Sequence, residues 1–101
     1  MTPAVAGMRG PEIPGFQWVR PLGQGGFADV FLYRQELPSR EVAIKVVRTQ
    51  GDERGTKELH READAMTLLA GHPAVVELHG VGTTADGRAY LVMEYCPVAD
   101  L

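Results

Sequence analysis

Apolar and polar positions change their period twice along the chain. Residues 16–22 (FQWVRPL) mix aromatic and branched side chains and predict a strand, with Pro21 placing it at a sheet edge or close to the strand's end. A glycine stretch interrupts, and residues 28–33 (ADVFLY) resume a strand-like run, so Gly23 to Phe27 falls at the tip of an antiparallel hairpin. Residues 35–40 (QELPSR) are polar around Pro38 and predict a turn. Residues 41–48 (EVAIKVVR) follow as a third strand, apolar enough for the centre of a sheet.

The period then lengthens. Over residues 56–70 (TKELHREADAMTLLA), Leu59, Ala63, Met66, Leu69 and Ala70 recur at intervals of three and four, which predicts a helix with one core-facing stripe. Gly71, His72 and Pro73 supply its stop signal. Alternation returns at 75–81 (VVELHGV) and 88–94 (RAYLVME), two strands joined through Asp86-Gly87 as a second hairpin. Three strands, one helix and two strands predict an α+β fold: a five-stranded antiparallel sheet with the helix packed on one face. Ahead of it, residues 1–14 (MTPAVAGMRGPEIP) combine three prolines and two glycines and are expected to form a flexible tail, leaving tail 1–15 and domain 16–101.

Composition narrows the function classes. At 101 residues and 45% apolar, the chain is sized for one small domain. A formal charge of −3 and a pI of 5.5, with the basic residues scattered, argue against nucleic acid as a partner. One cysteine, Cys96, makes no internal disulfide and suits a reducing, cytoplasmic setting. No stretch has the length of a membrane span or a signal-peptide core, so no membrane contact is expected from this segment.

Two charges sit where apolar residues are expected. Lys45 interrupts the apolar third strand, and Glu62 falls on or beside the helix stripe, three residues after Leu59 and four before Met66. Each is costly unless paired, and a Lys45–Glu62 ion pair would resolve both; alternatively Glu62 snorkels at the stripe's edge and Lys45 points to solvent. Gly23, Gly25 and Gly26 add a second kind of partner, because glycine backbone lets amide hydrogens approach phosphate oxygens. A plain hairpin turn is the competing use of the same glycines. No Gly-Lys-Ser/Thr follows and the loop opens into a strand, which excludes both the P-loop and the dinucleotide fingerprint.

Taken together, these residues resemble the protein kinase family. Gly23-Gln24-Gly25-Gly26-Phe27-Ala28-Asp29-Val30 is similar to its glycine-rich loop, Val42-Ala43-Ile44-Lys45 to its strand-three lysine motif, and Glu62 to its helix-C glutamate. His72-Pro73 and Leu91 to Tyr95 resemble the passage toward the linker between the two lobes, and GFADVFLY with HREADAM is similar to bacterial serine/threonine kinases. The resemblance covers the smaller, N-terminal lobe.

It implies ATP as the ligand, with Lys45 and Glu62 as the catalytic pair: Lys45 on the α- and β-phosphates, Glu62 orienting it. It also implies that Gly23, Gln24, Gly25, Gly26 and Phe27 cover the phosphates. Leu22, Val30 and Ala43 would close on the adenine, Met93 would stand behind it as gatekeeper, and backbone groups of Glu94 and Cys96 would meet its polar edge. Met66 and Leu78 resemble the family's regulatory spine. For all these apolar positions ordinary core packing is the competing reading. Ala28 departs from the third glycine of the pattern, and nucleotide binding is expected to survive that.

The 101 residues contain neither a His-Arg-Asp loop nor Asp-Phe-Gly. Mg2+ is therefore expected only together with a C-lobe, and these residues alone are expected not to transfer phosphate. His60, His72 and His79 match no metal-ligand spacing. Two readings remain: the ATP-binding lobe of a serine/threonine kinase acting on a protein substrate, or a stand-alone, non-catalytic module derived from one. A free lobe exposes the face that would meet ATP and a C-lobe, so marginal stability and self-association through that face are expected.

Overall fold

A computed structural model of the chain describes residues 9–96. The elements are β1 (Phe16–Gln24), β2 (Ala28–Gln35), β3 (Arg40–Val47), α1 (Glu53–Leu68), β4 (Leu78–Thr83) and β5 (Ala89–Glu94). All strands pair antiparallel in one sheet of order β1-β2-β3-β5-β4. The expected five strands and single helix are present, and β3 is central. Pro21 lies on the edge strand β1, between two register shifts, where a missing amide hydrogen costs least.

The helix begins earlier than its apolar stripe. Asp52 caps it, its Oδ1 accepting from the Gly55 amide at 2.8 Å while the Thr56 hydroxyl donates to the Asp52 carbonyl at 2.9 Å. The first turn, Glu53-Arg54-Gly55, carries no large apolar residue, so periodicity alone could not reveal it. At the other end Leu69 is the C-cap and leaves the stripe half-exposed, with Leu68 84% exposed; the buried helix positions are Gly55, Leu59, Ala63 and Met66, and Ala70 is exposed as well. Gly71, with φ of 90°, makes the turn that follows. Residues 75–77, expected within β4, precede it: the Val75 amide turns back to the His72 carbonyl, and pairing starts only at Leu78.

Each face of the sheet carries its own core. On the helix side Val47, Leu59, Ala63, Ala89 and Leu91 cluster, with Phe27, Leu78 and Met93 packed at the margin. On the outer side Phe31, Tyr33, Val42, Ile44, Val46 and Val92 cluster around Ile13, which is 3% exposed. That burial corrects the expected tail. Residues 1–8 lie outside the described residues, but from Arg9 onward the segment is docked on the outer face. Arg9 stacks its guanidinium 4.7 Å from the Trp18 ring centre, and the Tyr33 hydroxyl donates to the Pro11 carbonyl at 2.6 Å. Burial also raises the Tyr33 phenol above its ordinary range. Gly10 is needed here, since a β-carbon would collide with the Tyr33 hydroxyl and the Trp18 ring. Ile13 burial, the Arg9–Trp18 stacking and the Tyr33–Pro11 hydrogen bond together hold this Pro/Gly-rich stretch.

Candidate functional site

Antiparallel register decides which side chains share a face. Lys45 pairs with Val30 on one side and Leu91 on the other, and Ala43 pairs with Leu32 and Met93. Cross-strand partners point the same way, so Val30, Ala43, Lys45 and Met93 all lie on the helix side of the sheet. Lys45 Nζ meets Glu62 Oε1 there at 2.9 Å, with the two side chains 21% and 39% exposed. Of the two readings open from the sequence, the pair is the one realised. It is only partly buried, so the ammonium retains access to a further anion from the open side.

The glycine hairpin adjoins it through Phe27. Its ring lies 5.5 Å from Lys45 Nζ, and it packs against Gly55 in the first turn of α1, where a β-carbon would come within 3.2 Å of the ring. The tip is closed by the Gly25 amide donating to the Ala28 carbonyl at 2.8 Å. Its glycines are not forced by the backbone: the positive φ values of the described glycines occur at Gly15, Gly51, Gly71 and Gly87, none of them in the hairpin. Among the described residues, nothing lies within 4 Å of where a β-carbon would stand on Gly23 or Gly26, and Gly25 would meet only the Ala28 carbonyl at 3.4 Å. The bare backbone faces open space. Ala28 places its methyl inside the core, 1% exposed, so the departure at this position adds no bulk to the open side.

Arg48 and Asp29 belong to this region and were not singled out from the sequence. The Arg48 guanidinium bonds Asp29 Oδ1 at 2.9 Å, the Gly25 carbonyl at 2.6 Å, the Gly26 carbonyl at 3.1 Å and the Ala28 carbonyl at 3.2 Å. Its backbone amide takes the Phe27 carbonyl at 2.9 Å. All four consecutive tip carbonyls are therefore held by one residue. The signal was available: Asp29 interrupts an apolar strand as Lys45 does, with the same parity as Phe31 and Tyr33.

The remaining expected positions are more dispersed. Leu22 sits at the second register shift of β1, between the paired residues Pro21 and Gly23, and is half-buried. Gln24 ends β1 next to the tip. Glu94 ends β5; its amide donates to the Glu77 carbonyl at 2.8 Å and its carboxylate accepts from the Glu77 amide at 3.0 Å. That bond, then one from the Cys96 thiol, holds the Glu94 carboxyl below its ordinary value, while desolvation and then the Glu94 carboxylate push the exposed Cys96 thiol up. Met66 is buried and Leu78 pairs with Met93. No group of three His, Cys, Asp or Glu side chains suited to a metal occurs among the described residues, and no described helix is long and apolar enough to cross a membrane.

The family model for protein tyrosine and serine/threonine kinases matches residues 16–101. Serine/threonine-protein kinase PknK from two strains of Mycobacterium tuberculosis and from Mycobacterium bovis is 40% identical over 91 residues, 84% of this chain. The chain spans 8% of the length of these relatives.

Proposed function

Because the chain belongs to the protein tyrosine and serine/threonine kinase family, we propose that it is the nucleotide-holding N-terminal lobe of a serine/threonine protein kinase, with ATP seated beneath the glycine hairpin. The observation that carries this reading is the Lys45–Glu62 pair, set on the face of Val30 and Ala43 beside glycines that no close contact among the described residues requires. The open backbone of Gly23, Gly25 and Gly26 fits a ligand that must come close to amide hydrogens.

In this reading the backbone of residues 23–27 covers the phosphates. Lys45 offers its ammonium to the α- and β-phosphate oxygens, and Glu62 fixes where that ammonium stands. Leu22, Val30 and Ala43 exclude water from one side of the adenine, Met93 limits the depth of its pocket, and backbone groups of Glu94 and Cys96 bond its edge. ATP supplies the γ-phosphoryl group that kinases transfer, here to a serine or threonine hydroxyl of a protein, as the names of the relatives suggest. What these residues contribute is positioning. The carboxylate base and the magnesium-holding motifs of the family have no counterpart in the 101 residues, and Mg2+ is assigned to none of them. A cytoplasmic setting, where ATP and reduced thiols are abundant, belongs to the same proposal.

Calorimetric titration with ATP tests it. Lys45→Met is expected to weaken ATP binding by about tenfold or more, the worth of a charge-assisted phosphate contact. An affinity unchanged in Lys45→Met would overturn the reading.

A further inference from the structure

We propose that Arg48, anchored by Asp29, is a positioning residue that presets the glycine hairpin for the phosphate end of its ligand. The inference rests on the nucleotide-holding reading above and adds a residue to it.

A trans peptide is planar, so the carbonyl of one residue and the amide hydrogen of the next point in opposite directions. The carbonyls of Gly25, Gly26 and Phe27 are all drawn to Arg48, the first two to its guanidinium and the third to its backbone amide. The amide hydrogens of Gly26, Phe27 and Ala28 are thereby turned away from Arg48.

Register says which way that is. Asp29 pairs with Val46, and Phe31 with Ile44, on the outer face of the sheet, whereas Val30 pairs with Lys45 on the helix side. Arg48 reaches Asp29 Oδ1 at 2.9 Å and so works from the outer face. The Gly25 and Gly26 carbonyls gathered there by the guanidinium leave the amide dipoles of Gly26 and Phe27 directed toward the side of Lys45, whereas the Phe27 carbonyl, bonded by the Arg48 backbone amide, continues the β2–β3 ladder. An anion on that side meets oriented donors and the Lys45 ammonium together.

Asp29 makes the arrangement hold. Its side chain is 7% exposed and accepts from both Nε and an Nη of Arg48, which fixes the plane of the guanidinium. The remaining donors are then aimed at the loop without further ordering. Lysine at this position keeps a charge for Asp29 but, as a compact ammonium, cannot reproduce the fork that spans three carbonyls.

The test compares ATP with adenosine, which lacks the phosphates, in the full chain carrying Arg48→Lys. A residue that merely holds the hairpin together would affect both ligands alike. The expected result is about a tenfold loss for ATP with adenosine binding within about twofold of wild type, the signature of lost preorganisation at the phosphate end alone. Equal losses for the two ligands, or no loss for ATP, would overturn the positioning role. Lys45→Met in the same series separates the two levels: if wild type and Lys45→Met bind ATP equally, the nucleotide-holding reading fails and the role of Arg48 falls with it. If Lys45→Met weakens ATP while Arg48→Lys does not, only the role of Arg48 fails.

Discussion

Lys45 on the central strand and Glu62 on the only helix of the described residues meet at 2.9 Å, although neither is deeply buried. A half-exposed ion pair contributes about 1 kcal/mol or less to stability, because water screens it and two long side chains must be ordered. Stability is therefore a weak reason for this pair. Glu62→Gln is expected to change the unfolding free energy by no more than about 1 kcal/mol while weakening ATP binding severalfold. Denaturant unfolding and calorimetry on one preparation check both halves, and a large stability loss with unchanged ATP affinity would make the pair structural.

Asp29 and Arg48 are expected to behave in the opposite way toward stability. Asp29 is 7% exposed, so removing its partner leaves a carboxylate in the core. Arg48→Ala is expected to cost about 3 kcal/mol, and Asp29→Ala combined with Arg48→Ala less than the sum of the two single changes. Urea unfolding of the three variants measures the coupling; strict additivity would mean that the two side chains do not act together.

The start of the helix offers a reversal of sign. Asp52→Ala removes the cap and is expected to cost about 1 kcal/mol. Gly55→Ala would ordinarily stabilise an exposed helix by about 0.5–1 kcal/mol. Here the added β-carbon would collide with the Asp52 carboxylate and come within 3.2 Å of the Phe27 ring, so the variant is expected to melt lower than wild type. A higher melting temperature would show that the loop and the cap yield at no cost.

The second hairpin supplies a pH dependence. The Thr84 hydroxyl and then the Arg88 guanidinium donate to Asp86 and hold its carboxyl below the ordinary value of 3.8. With the folded value depressed, the stabilisation is present above the unfolded value and is lost as pH falls through the folded one. The melting temperatures of wild type and Asp86→Asn are expected to differ at neutral pH and to converge as pH falls through the depressed folded value. A difference that persists unchanged into acid would exclude the carboxylate as its cause.

Much of this was legible in the sequence, for identifiable reasons. The apolar runs over 28–33 and 41–48 marked the strands, but the parity of β3 left the side of Lys45 open, because apolar residues occupy both of its faces; the register with β2 and β5 decided it. The docked segment was not legible, because the burial of Ile13 depends on the aromatic surface of Phe16 and Tyr33, which exists only after the sheet has formed. The first helical turn was hidden because its signal is a cap, not a stripe. Arg48 was missed because its chief partners are backbone carbonyls, which leave no trace in residue type; Asp29 alone could have pointed to it. The β4 boundary slipped because Val75 and Val76 have strand-forming side chains but lie between α1 and the first paired residue, Leu78.

Hydrogen–deuterium exchange of the full chain, with ATP and with adenosine in turn, tests the central claim most directly. The account predicts that the phosphates specifically slow exchange within residues 23–28 and in β3 around Lys45, since the hairpin turns amide hydrogens of its tip away from Arg48. Identical protection by ATP and adenosine across 23–28, or protection confined to the outer face around Trp18 and Tyr33, would contradict it.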